Sequence, residues 1–299
     1  MLGEVFRRLS HFDLLEDYVY VGFGSVWFAD FVLYHKMLGI RDMISIEEAS
    51  GARDRFEANR PFKIDIMFNN SNVALPKLDW TRRQIIWLDY DDPLSVEMLR
   101  DARTVATNAR SGTILAVSVQ CNQSIDIDDA EENPHGPKPL ERFVQRFGRE
   151  RVSSGVREEE LYGWNFGKLS RGMIAHEIET ALSSRNSSGE RKFRFSPITA
   201  INYQDDAKMT TLVGVIVEEA ELDRLEACQF GRLDFLQERE QPIKIEVPKL
   251  TGRELKHIER QLPLAAGAAV DLTGGIPGRD AKQFIEMYRY FPSFAVMEG

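Results

Sequence analysis

The sequence predicts an α/β protein built on a doubly wound, mostly parallel β-sheet. Runs of β-forming residues alternate with helical patterns five times within residues 18–119, which is typical of parallel strands joined by crossover helices. Later, two β-rich runs at 193–203 and 209–217 are separated by a loop short enough for an antiparallel hairpin. We therefore expect a sheet closed by this hairpin within residues 1–237, and a smaller α/β appendage at 238–299.

The first elements are a helix, a strand, a glycine turn and a second helix. Residues 2–15 carry apolar residues at helical spacing, which predicts an amphipathic helix lying against the sheet. The β-rich run Tyr18–Gly22 then leads into the turn Gly22-Phe23-Gly24-Ser25. Gly39 ends the helix that follows. The apolar residues of that helix are Trp27, Phe28, Phe31, Val32 and Leu38.

A second apolar strand, Met43–Ile46, completes this βαβ unit and ends at Glu47 and Glu48. Glycine in the first turn and a carboxylate after the second strand suit a nucleotide-like ligand. The turn lets the backbone approach the ligand, and the carboxylate accepts hydrogen bonds from ribose hydroxyls. The alternative is an ordinary acid at a strand end. We interpret Asp30 and His35 as hydrogen-bonded polar residues of the core, although either side chain is also a candidate to point toward the ligand.

The third and fourth strands also end in polar residues. A helix at 52–59 leads to a strand at 64–68, which is followed by Asn69, Asn70 and Ser71 and by a short apolar segment at 73–78. The strand at 84–88 is apolar on both faces, as expected of a central parallel strand. Since the carboxyl ends of parallel strands share one rim of the sheet, these polar residues are expected near a common ligand site.

The fourth strand ends in the acidic run Asp89-Tyr90-Asp91-Asp92. A helix at 93–110 and a fifth strand at 113–119 follow. Asp89 is the candidate for a role in the site, whereas Asp91 and Asp92 are expected to cap the helix, because carboxylates are favourable at its positive end.

The second half of the chain contains a polar loop, the hairpin and the appendage. The loop at 120–138 has no periodicity and is predicted to be mobile, either covering substrate or serving as a solvated linker. Helices at 140–147 and 170–184 flank a join at 162–167. In the appendage we expect a strand at 243–247, a helix begun by the capping box Thr251-x-x-Glu254, and a last helix before Pro292. The aromatic residues Tyr288, Tyr290, Phe291 and Phe294 suit core packing, a substrate pocket or an oligomer seam.

Composition narrows the classes of function. The net charge is −9 with both signs mixed along the chain, so nucleic acid is an unlikely partner. The two cysteines form neither a metal-ligand spacing nor a disulfide framework, which fits a reducing cytoplasm. No apolar stretch approaches the length that spans a bilayer, so no membrane association is expected. No histidine adjoins a serine or cysteine nucleophile motif, which argues against a hydrolase.

Residues 18–217 resemble class I S-adenosylmethionine-dependent methyltransferases, which have a Rossmann-like sheet. Within that superfamily the chain is similar to a bacterial family labelled “putative O-methyltransferases”. The matching segments are YVGFGS..F.DF at residue 20, SIE at 45, RFEANRPF at 55, LP at 75 and WLDYD at 87.

This resemblance implies S-adenosyl-L-methionine as cofactor and a small molecule or protein as methyl acceptor. It places Gly22, Phe23, Gly24 and Ser25 beside the amino-acid part of the cofactor. It also implies Glu47 as the ribose ligand, Asn70 near the adenine, Ser71 as a further cofactor-binding residue, and Asp89 beside the sulfonium and the substrate. Asp89 is the first candidate for the catalytic base and Asp91 the second, because a carboxylate in a closed apolar site can have a raised pKa.

Two departures from the family pattern leave an alternative open. The usual GxGxG loop has Val26 at its fifth position. The DYD motif is similar to the metal site of catechol-type O-methyltransferases, but Gln120-Cys121-Asn122 lacks the second carboxylate of that site, so no metal is expected. The alternative is a catalytically silent protein of the same fold that binds the cofactor, a partner protein or a second copy of itself.

Overall fold

A computed structural model describes residues 1–48, 50–127, 135–204, 206–236, 242–265 and 267–290. It confirms the predicted α/β fold. The strands form one eight-stranded sheet in the order β3-β2-β1-β4-β5-β7-β6-β8. Their bounds are β1 Val19–Gly22, β2 Asp42–Ile46, β3 Asp65–Met67, β4 Gln84–Pro93, β5 Thr113–Gln120, β6 Phe193–Gln204, β7 Lys208–Glu218 and β8 Ile243–Glu246.

The sheet has the predicted mixture of strand directions. Strands β1 to β5 pair in parallel, and β7 runs antiparallel to both β5 and β6, so the predicted hairpin is present. The strand order reverses between β1 and β4, which is where open α/β sheets leave a crevice for a ligand. The predicted ligand-binding residues therefore lie at the favourable position of the fold.

Helices cover both faces of the sheet. Within the described ranges, no helix combines the length and apolarity needed to cross a lipid bilayer. The helices are α1 Leu2–Arg7, α2 Ala29–Leu38, α3 Arg53–Asn59, α4 Ser71–Ala74, α5 Val96–Asn108, α6 Pro139–Phe147, α7 Gly163–Ser188, α8 Leu222–Ala227, α9 Gly252–Glu259 and α10 Gly278–Met287.

The two faces of the sheet belong to two hydrophobic cores, because successive side chains of a strand point to opposite faces. In β4, Ile86 and Leu88 pack with α5 and α7, whereas Ile85 and Trp87 pack with α1 and α2. By the same alternation, Asp89 lies on the face of α1 and α2.

Several helices differ from their predicted bounds. The helix predicted at 2–15 is shorter, since α1 ends at Arg7 and is followed by a 3-10 helix at Arg8–His11. Phe28 has a left-handed backbone with φ of 46°, so α2 begins only at Ala29 and Trp27 is 79% exposed instead of packing in the core. The predicted join at 162–167 is the first turn of α7. Gly167 does not break that helix but allows close packing, since a Cβ there would lie 3.1 Å from the sulfur of Cys121.

The start of the predicted mobile loop is packed against the sheet. Cys121, Ser124, Asp126 and Ile127 are buried, and Asp126 accepts a hydrogen bond of 2.9 Å from Arg146. The prediction of a mobile loop was therefore wrong for this part. Residues 128–134 lie outside the described ranges.

The C-terminal part contributes to the same sheet. β8 pairs in parallel with β6 at the sheet edge. The predicted capping box is confirmed, because Thr251 accepts from the amide of Glu254 and the Glu254 carboxylate accepts from the amide of Thr251. The division into units at 1–237 and 238–299 stays a prediction, and Phe291 and Phe294 lie outside the described residues.

Candidate active site

The strand pairing brings the predicted residues to one edge of the sheet. Gly22, the last residue of β1, lies opposite Ser45 of β2 on one side and Trp87 of β4 on the other. Two residues after these partners come Glu47, just beyond the end of β2, and Asp89, within β4. The glycine turn, Glu47 and Asp89 therefore meet at the carboxyl ends of adjacent strands.

A chain of hydrogen bonds joins the glycine turn to Glu47. The amide of Gly24 donates to Ser45 Oγ at 3.0 Å, and the Ser45 hydroxyl donates to Glu47 Oε1 at 2.5 Å. A Cβ at Gly24 would lie 2.5 Å from Glu47 Oε1 and 2.9 Å from the Phe28 ring. Glycine at this position is therefore required for the close approach of the turn to the acid.

Glu47 and its neighbour Glu48 differ in environment. Glu47 is 5% exposed, and burial raises its pKa to about 7 in spite of the hydrogen bonds from Ser45 and Gly24. Glu48 is exposed. A carboxylate held in this way is poorly solvated, so a bound group that donates hydrogen bonds would stabilise its ionised form.

Asp30 and His35 have partners within the protein, as their interpretation as polar core residues requires. The Tyr20 hydroxyl donates to Asp30 Oδ2 at 2.5 Å, and His35 Nδ1 lies 2.7 Å from the carbonyl oxygen of Ile40. Burial raises the pKa of Asp30. Asp30 also raises the pKa values of Glu47 and Asp89 by charge repulsion, so the three acids form one electrostatic group.

Asp89 is the least satisfied of these acids. Its Oδ1 atom is buried and has no hydrogen-bond partner among the described residues. Burial raises the pKa of Asp89 to about 6, although hydrogen bonds with the hydroxyls of Ser118 and Tyr203 favour the ionised form. A buried carboxylate oxygen without a partner is unusual in a folded protein and calls for an explanation, such as a ligand that supplies the missing donor.

Neither Asp91 nor Asp92 caps the following helix, so that prediction was wrong. β4 continues through both residues to Pro93, and Ser95 is the N-cap of α5, accepting a hydrogen bond from the amide of Met98. Both aspartates are exposed. Asp91 nevertheless lies near enough to Asp89 to raise its pKa.

Asn70, predicted near the adenine, and Ser71 lie at the start of α4. Asn70 is exposed and precedes the first helical residue, Ser71. The Ser71 hydroxyl donates to Asp101 Oδ2, which also accepts from the Tyr90 hydroxyl at 2.7 Å. The Tyr90 ring packs on Phe23 of the glycine turn, with centroids 4.9 Å apart. This network connects α4 and α5 to the turn.

A cavity of about 370 Å³ opens beside Asp89 on the face of α1 and α2. Asp89 and Thr211 line it, together with Met1 and Leu2 from the start of the sequence. Much of the remaining lining is apolar or aromatic and includes Trp87, Ile201, Tyr203, Ile245, Met287 and Tyr290.

Sequence reasoning missed three hydroxyl residues that support the site. Besides Ser45, these are Ser118, which accepts a hydrogen bond of 2.9 Å from Trp87 Nε1, and Thr211, whose Oγ1 lies 2.9 Å from Ser118 Oγ. Each is buried in a strand that is mostly apolar. A hydroxyl within a buried strand was the available signal, because such a group needs a hydrogen-bond partner inside the protein.

The residues fit S-adenosyl-L-methionine better than a metal ion. The described residues contain no group of three histidine, cysteine or acidic side chains that could hold a metal. Asn122, from the segment compared with the catechol-type metal site, accepts a hydrogen bond from the amide of Lys208 at 2.9 Å. By contrast, the turn at Gly24 lies directly against Ser45 and Glu47, where a Cβ would clash, and the nearby acids suit a cationic ligand with ribose hydroxyls.

Several solved methyltransferases are similar to the chain at low identity. Trm1 from Pyrococcus horikoshii, solved with S-adenosyl-L-methionine, is 12% identical over 75% of this chain, with a TM-score of 0.44. The chain spans only 57% of that protein. An O-methyltransferase from Bacillus cereus in complex with SAH is 10% identical over 72% of this chain and 80% of its own length, with a TM-score of 0.35.

A putative O-methyltransferase from Klebsiella pneumoniae is 12% identical over 72% of this chain and 80% of its own, with a TM-score of 0.38. No curated protein matches the chain. The family model described as “Putative O-methyltransferase” matches residues 1–299. The chain therefore belongs to this family of S-adenosyl-L-methionine-dependent methyltransferases.

Proposed function

We propose that the protein transfers a methyl group to an oxygen atom of its acceptor, with Asp89 as the catalytic base. The observation that carries this proposal is the buried Oδ1 of Asp89, which has no partner among the described residues and belongs to a side chain that lines the cavity. An acceptor hydroxyl in that cavity would donate its hydrogen bond to this oxygen. Asp91 is the second candidate for the base, but its exposure favours Asp89.

The same proposal assigns the cofactor contacts. Glu47 holds the ribose hydroxyls, and the backbone of the glycine turn faces the amino-acid part of the cofactor. Support comes from the bond between Gly24 and Ser45, which fixes the turn, and from the raised pKa of Glu47. The full set of proposed cofactor-binding residues is Gly22, Phe23, Gly24, Ser25, Glu47, Asn70, Ser71 and Asp89.

The cofactor supplies an electrophilic methyl group: the acceptor oxygen forms the new bond to carbon, and the electron pair of the broken C–S bond stays on sulfur. Asp89 accepts the hydroxyl proton of the acceptor. Its pKa of about 6 leaves the carboxylate mostly ionised at pH 7.5 while keeping it more basic than an exposed aspartate. Ser118 lies opposite Asp89 on β5, and the hydroxyls of Ser118 and Tyr203 lower the pKa of Asp89 and so favour its ionised form.

The test is calorimetric titration with S-adenosyl-L-methionine, followed by a screen with cofactor that carries a labelled methyl group. The acceptor panel should contain phenols, alcohols, amines, proteins and total RNA. We expect label on oxygen, identified by NMR of the product. Label on nitrogen or carbon would contradict O-directed transfer, and tight cofactor binding with no labelled product would favour a silent binding protein.

A further inference from the structure

We infer that the cavity beside Asp89 is the acceptor site and that it takes a small, uncharged aromatic compound bearing a hydroxyl group. This inference rests on the proposed function, because it identifies the class of molecule that Asp89 deprotonates. It is carried by the size of the cavity, by the distribution of polar and apolar groups on its walls, and by the part of the chain that builds its outer wall.

The lining favours an uncharged ligand. Among the described residues that line the cavity, Asp89 is the one with a charged side chain, and none is lysine, arginine or histidine. Met1 also lines the cavity, and burial lowers the pKa of its amino group, which disfavours the charged form of that group. A phosphate or carboxylate group would therefore face Asp89 with no cationic side chain to compensate it. Nucleotides and acidic metabolites suit such a cavity poorly.

The volume limits the size of the acceptor. A cavity of about 370 Å³ lies at the lower end of the range of roughly 300–1,000 Å³ that is usual for small-molecule sites. A phenol with one or two fused rings fits this space. A folded RNA or a protein surface would have to insert a single group into it.

Asp89 and Thr211 supply polar groups on the part of the cavity wall formed by β4 and β7, which gives the acceptor a preferred orientation. Asp89 and Thr211 belong to adjacent regions of β4 and β7, bridged by Ser118 of β5. Ile201 of β6 and Ile245 of β8 form an apolar wall. A ring packed on these isoleucines can place its hydroxyl at Asp89, so the compound must be apolar at one end and carry its hydroxyl at the other.

The C-terminal part of the chain builds the outer wall. The Tyr290 hydroxyl donates to Asp234 Oδ1 at 2.6 Å, and Arg289 pairs with Oδ2 of the same residue at 2.7 Å. Burial raises the pKa of Asp234, but its bonds with Tyr290, Phe235 and Arg289 outweigh burial and lower it. The Tyr290 ring packs edge-on against Phe235, with centroids 5.4 Å apart. These contacts hold Tyr290 in place at the cavity, so the segment beyond the hairpin contributes directly to acceptor specificity.

The probe for this site is 2-naphthol, which is uncharged at pH 7.5 and has its hydroxyl at one end of an apolar ring system. Its affinity is measured by calorimetry on the whole protein, in parallel with that of S-adenosyl-L-methionine. We expect 2-naphthol to bind, and the anion 2-naphthoate, of similar shape, to bind at least about 10-fold more weakly because Asp89 repels it. Equal binding of both compounds would contradict the assignment of the polar end to Asp89.

A matched pair of substitutions on β8 and just beyond it locates the probe. Ile245→Trp fills the cavity and should weaken 2-naphthol binding about 10-fold or more, whereas Val247→Trp adds the same ring at a residue that is 66% exposed and should leave it within about 2-fold. Cofactor affinity should be unchanged in both, which also shows that both fold. If Ile245→Trp fails to fold, Met287→Trp fills the cavity from the other wall.

The outcomes separate this inference from the proposed function. If the wild-type protein binds the cofactor but not 2-naphthol, or if Ile245→Trp binds 2-naphthol as well as the wild type, the inference is overturned while the function stands. If methylation of RNA or protein is found and Ile245→Trp does not slow it, the inference is also overturned. If the cofactor itself does not bind, the proposed function is contradicted, and this inference, which rests on it, is overturned with it.

Discussion

The buried charged residues at the two ends of the sheet differ in whether they have partners of opposite charge. At the amino ends of the strands, Arg83 is buried, yet it pairs with Asp13 at 2.6 Å and Glu221 at 3.0 Å and donates to the carbonyl oxygen of Ser111 at 2.9 Å. At the carboxyl ends, Asp30, Glu47 and Asp89 lie near one another, and none forms an ion pair with a described residue. Their pKa values are raised by burial.

This difference separates charges that stabilise the fold from charges kept for a ligand. A buried ion with partners of opposite charge can stay ionised, whereas buried acids without a cation carry a desolvation penalty that their hydrogen bonds offset only in part. A cationic cofactor that donates hydrogen bonds would relieve this penalty. Substitutions at the carboxyl ends should therefore affect binding and turnover, and those at the amino ends should affect stability.

The largest effect is expected at the glycine turn. Gly24→Val inserts a branched side chain at a position where the Cβ alone would lie 2.5 Å from Glu47 Oε1. Cofactor affinity should therefore fall by more than about 10²-fold. Gly155→Val is the control, since nothing lies within 4 Å of a Cβ at that position. Calorimetry with S-adenosyl-L-methionine measures both variants. Normal binding by Gly24→Val would show that this turn is not the cofactor loop.

The second largest effect is expected at Asp89, the proposed catalytic base. Asp89→Asn keeps the shape of the side chain but cannot accept the acceptor proton, so turnover should fall roughly 10²-fold or more while cofactor affinity stays within a few-fold. Asp91→Asn is the matched control on the same strand. The turnover of both variants is measured with labelled cofactor and the best acceptor. If Asp91→Asn loses more turnover than Asp89→Asn, Asp91 is the base.

At the opposite end, Arg83→Met should reduce the free energy of unfolding by about 2–3 kcal/mol, because it removes the cation from two carboxylates and leaves the Ser111 carbonyl oxygen without this donor. Arg41→Met breaks a pair with Glu16 whose arginine side chain is 72% exposed, and should change stability by less than about 1 kcal/mol. Urea titration gives both values. If folded Arg83→Met binds the cofactor more weakly than the wild type, the claim that the charges at the amino ends serve only stability is contradicted.

The smallest effect is expected at Glu47, where a substitution should weaken cofactor binding but stabilise the free protein. Glu47→Gln should weaken cofactor binding by about 1.5–2 kcal/mol, because a charge-assisted hydrogen bond becomes a neutral one. The same change should stabilise the free protein at pH 8. The pKa of Glu47 is raised to about 7, so its contribution to wild-type stability is lost as pH rises from about 4.5 through 7, and glutamine has no such loss.

The matched control is Glu48→Gln, at an exposed position, which should change neither quantity. Thermal unfolding at pH 5 and pH 8 tests the sign directly. If Glu47→Gln lowers stability at pH 8 relative to the wild type, the carboxylate is a structural group and not one kept for a ligand.

Local patterns were sufficient to predict the order of elements and the positions of Gly24, Glu47 and Asp89. Strand and helix periodicity is a property of neighbouring residues, and parallel strands necessarily share a rim. The extension of β4 through Asp92 could not be predicted in this way, because it depends on pairing of Pro93 with Gln120 across the sheet after a register shift. In the sequence alone, the acids Asp91 and Asp92 after an apolar strand indicate a loop or a helix cap.

The cavity depends on even more distant parts of the chain. It forms where Trp87, Ile245 and Tyr290 come together from strands and turns that are widely separated in sequence. Each residue has an ordinary packing interpretation by itself, so periodicity gives no sign of a site. The role of Ser45 could not be predicted from local pattern because Gly24 comes beside it only when β1 pairs with β2, although its other partner, Glu47, is two residues away in the sequence.

The most direct test of the unpaired acids is proton-linked calorimetry. S-adenosyl-L-methionine should favour the ionised forms of Glu47 and Asp89, whose pKa values in the free protein are about 7 and about 6. Binding at pH 6.5 should therefore release protons, measured in buffers of different ionisation enthalpy, and affinity should rise several-fold between pH 5.5 and 7.5. Binding without proton release and with the same affinity at both pH values would contradict the claim that these acids are kept for the cofactor.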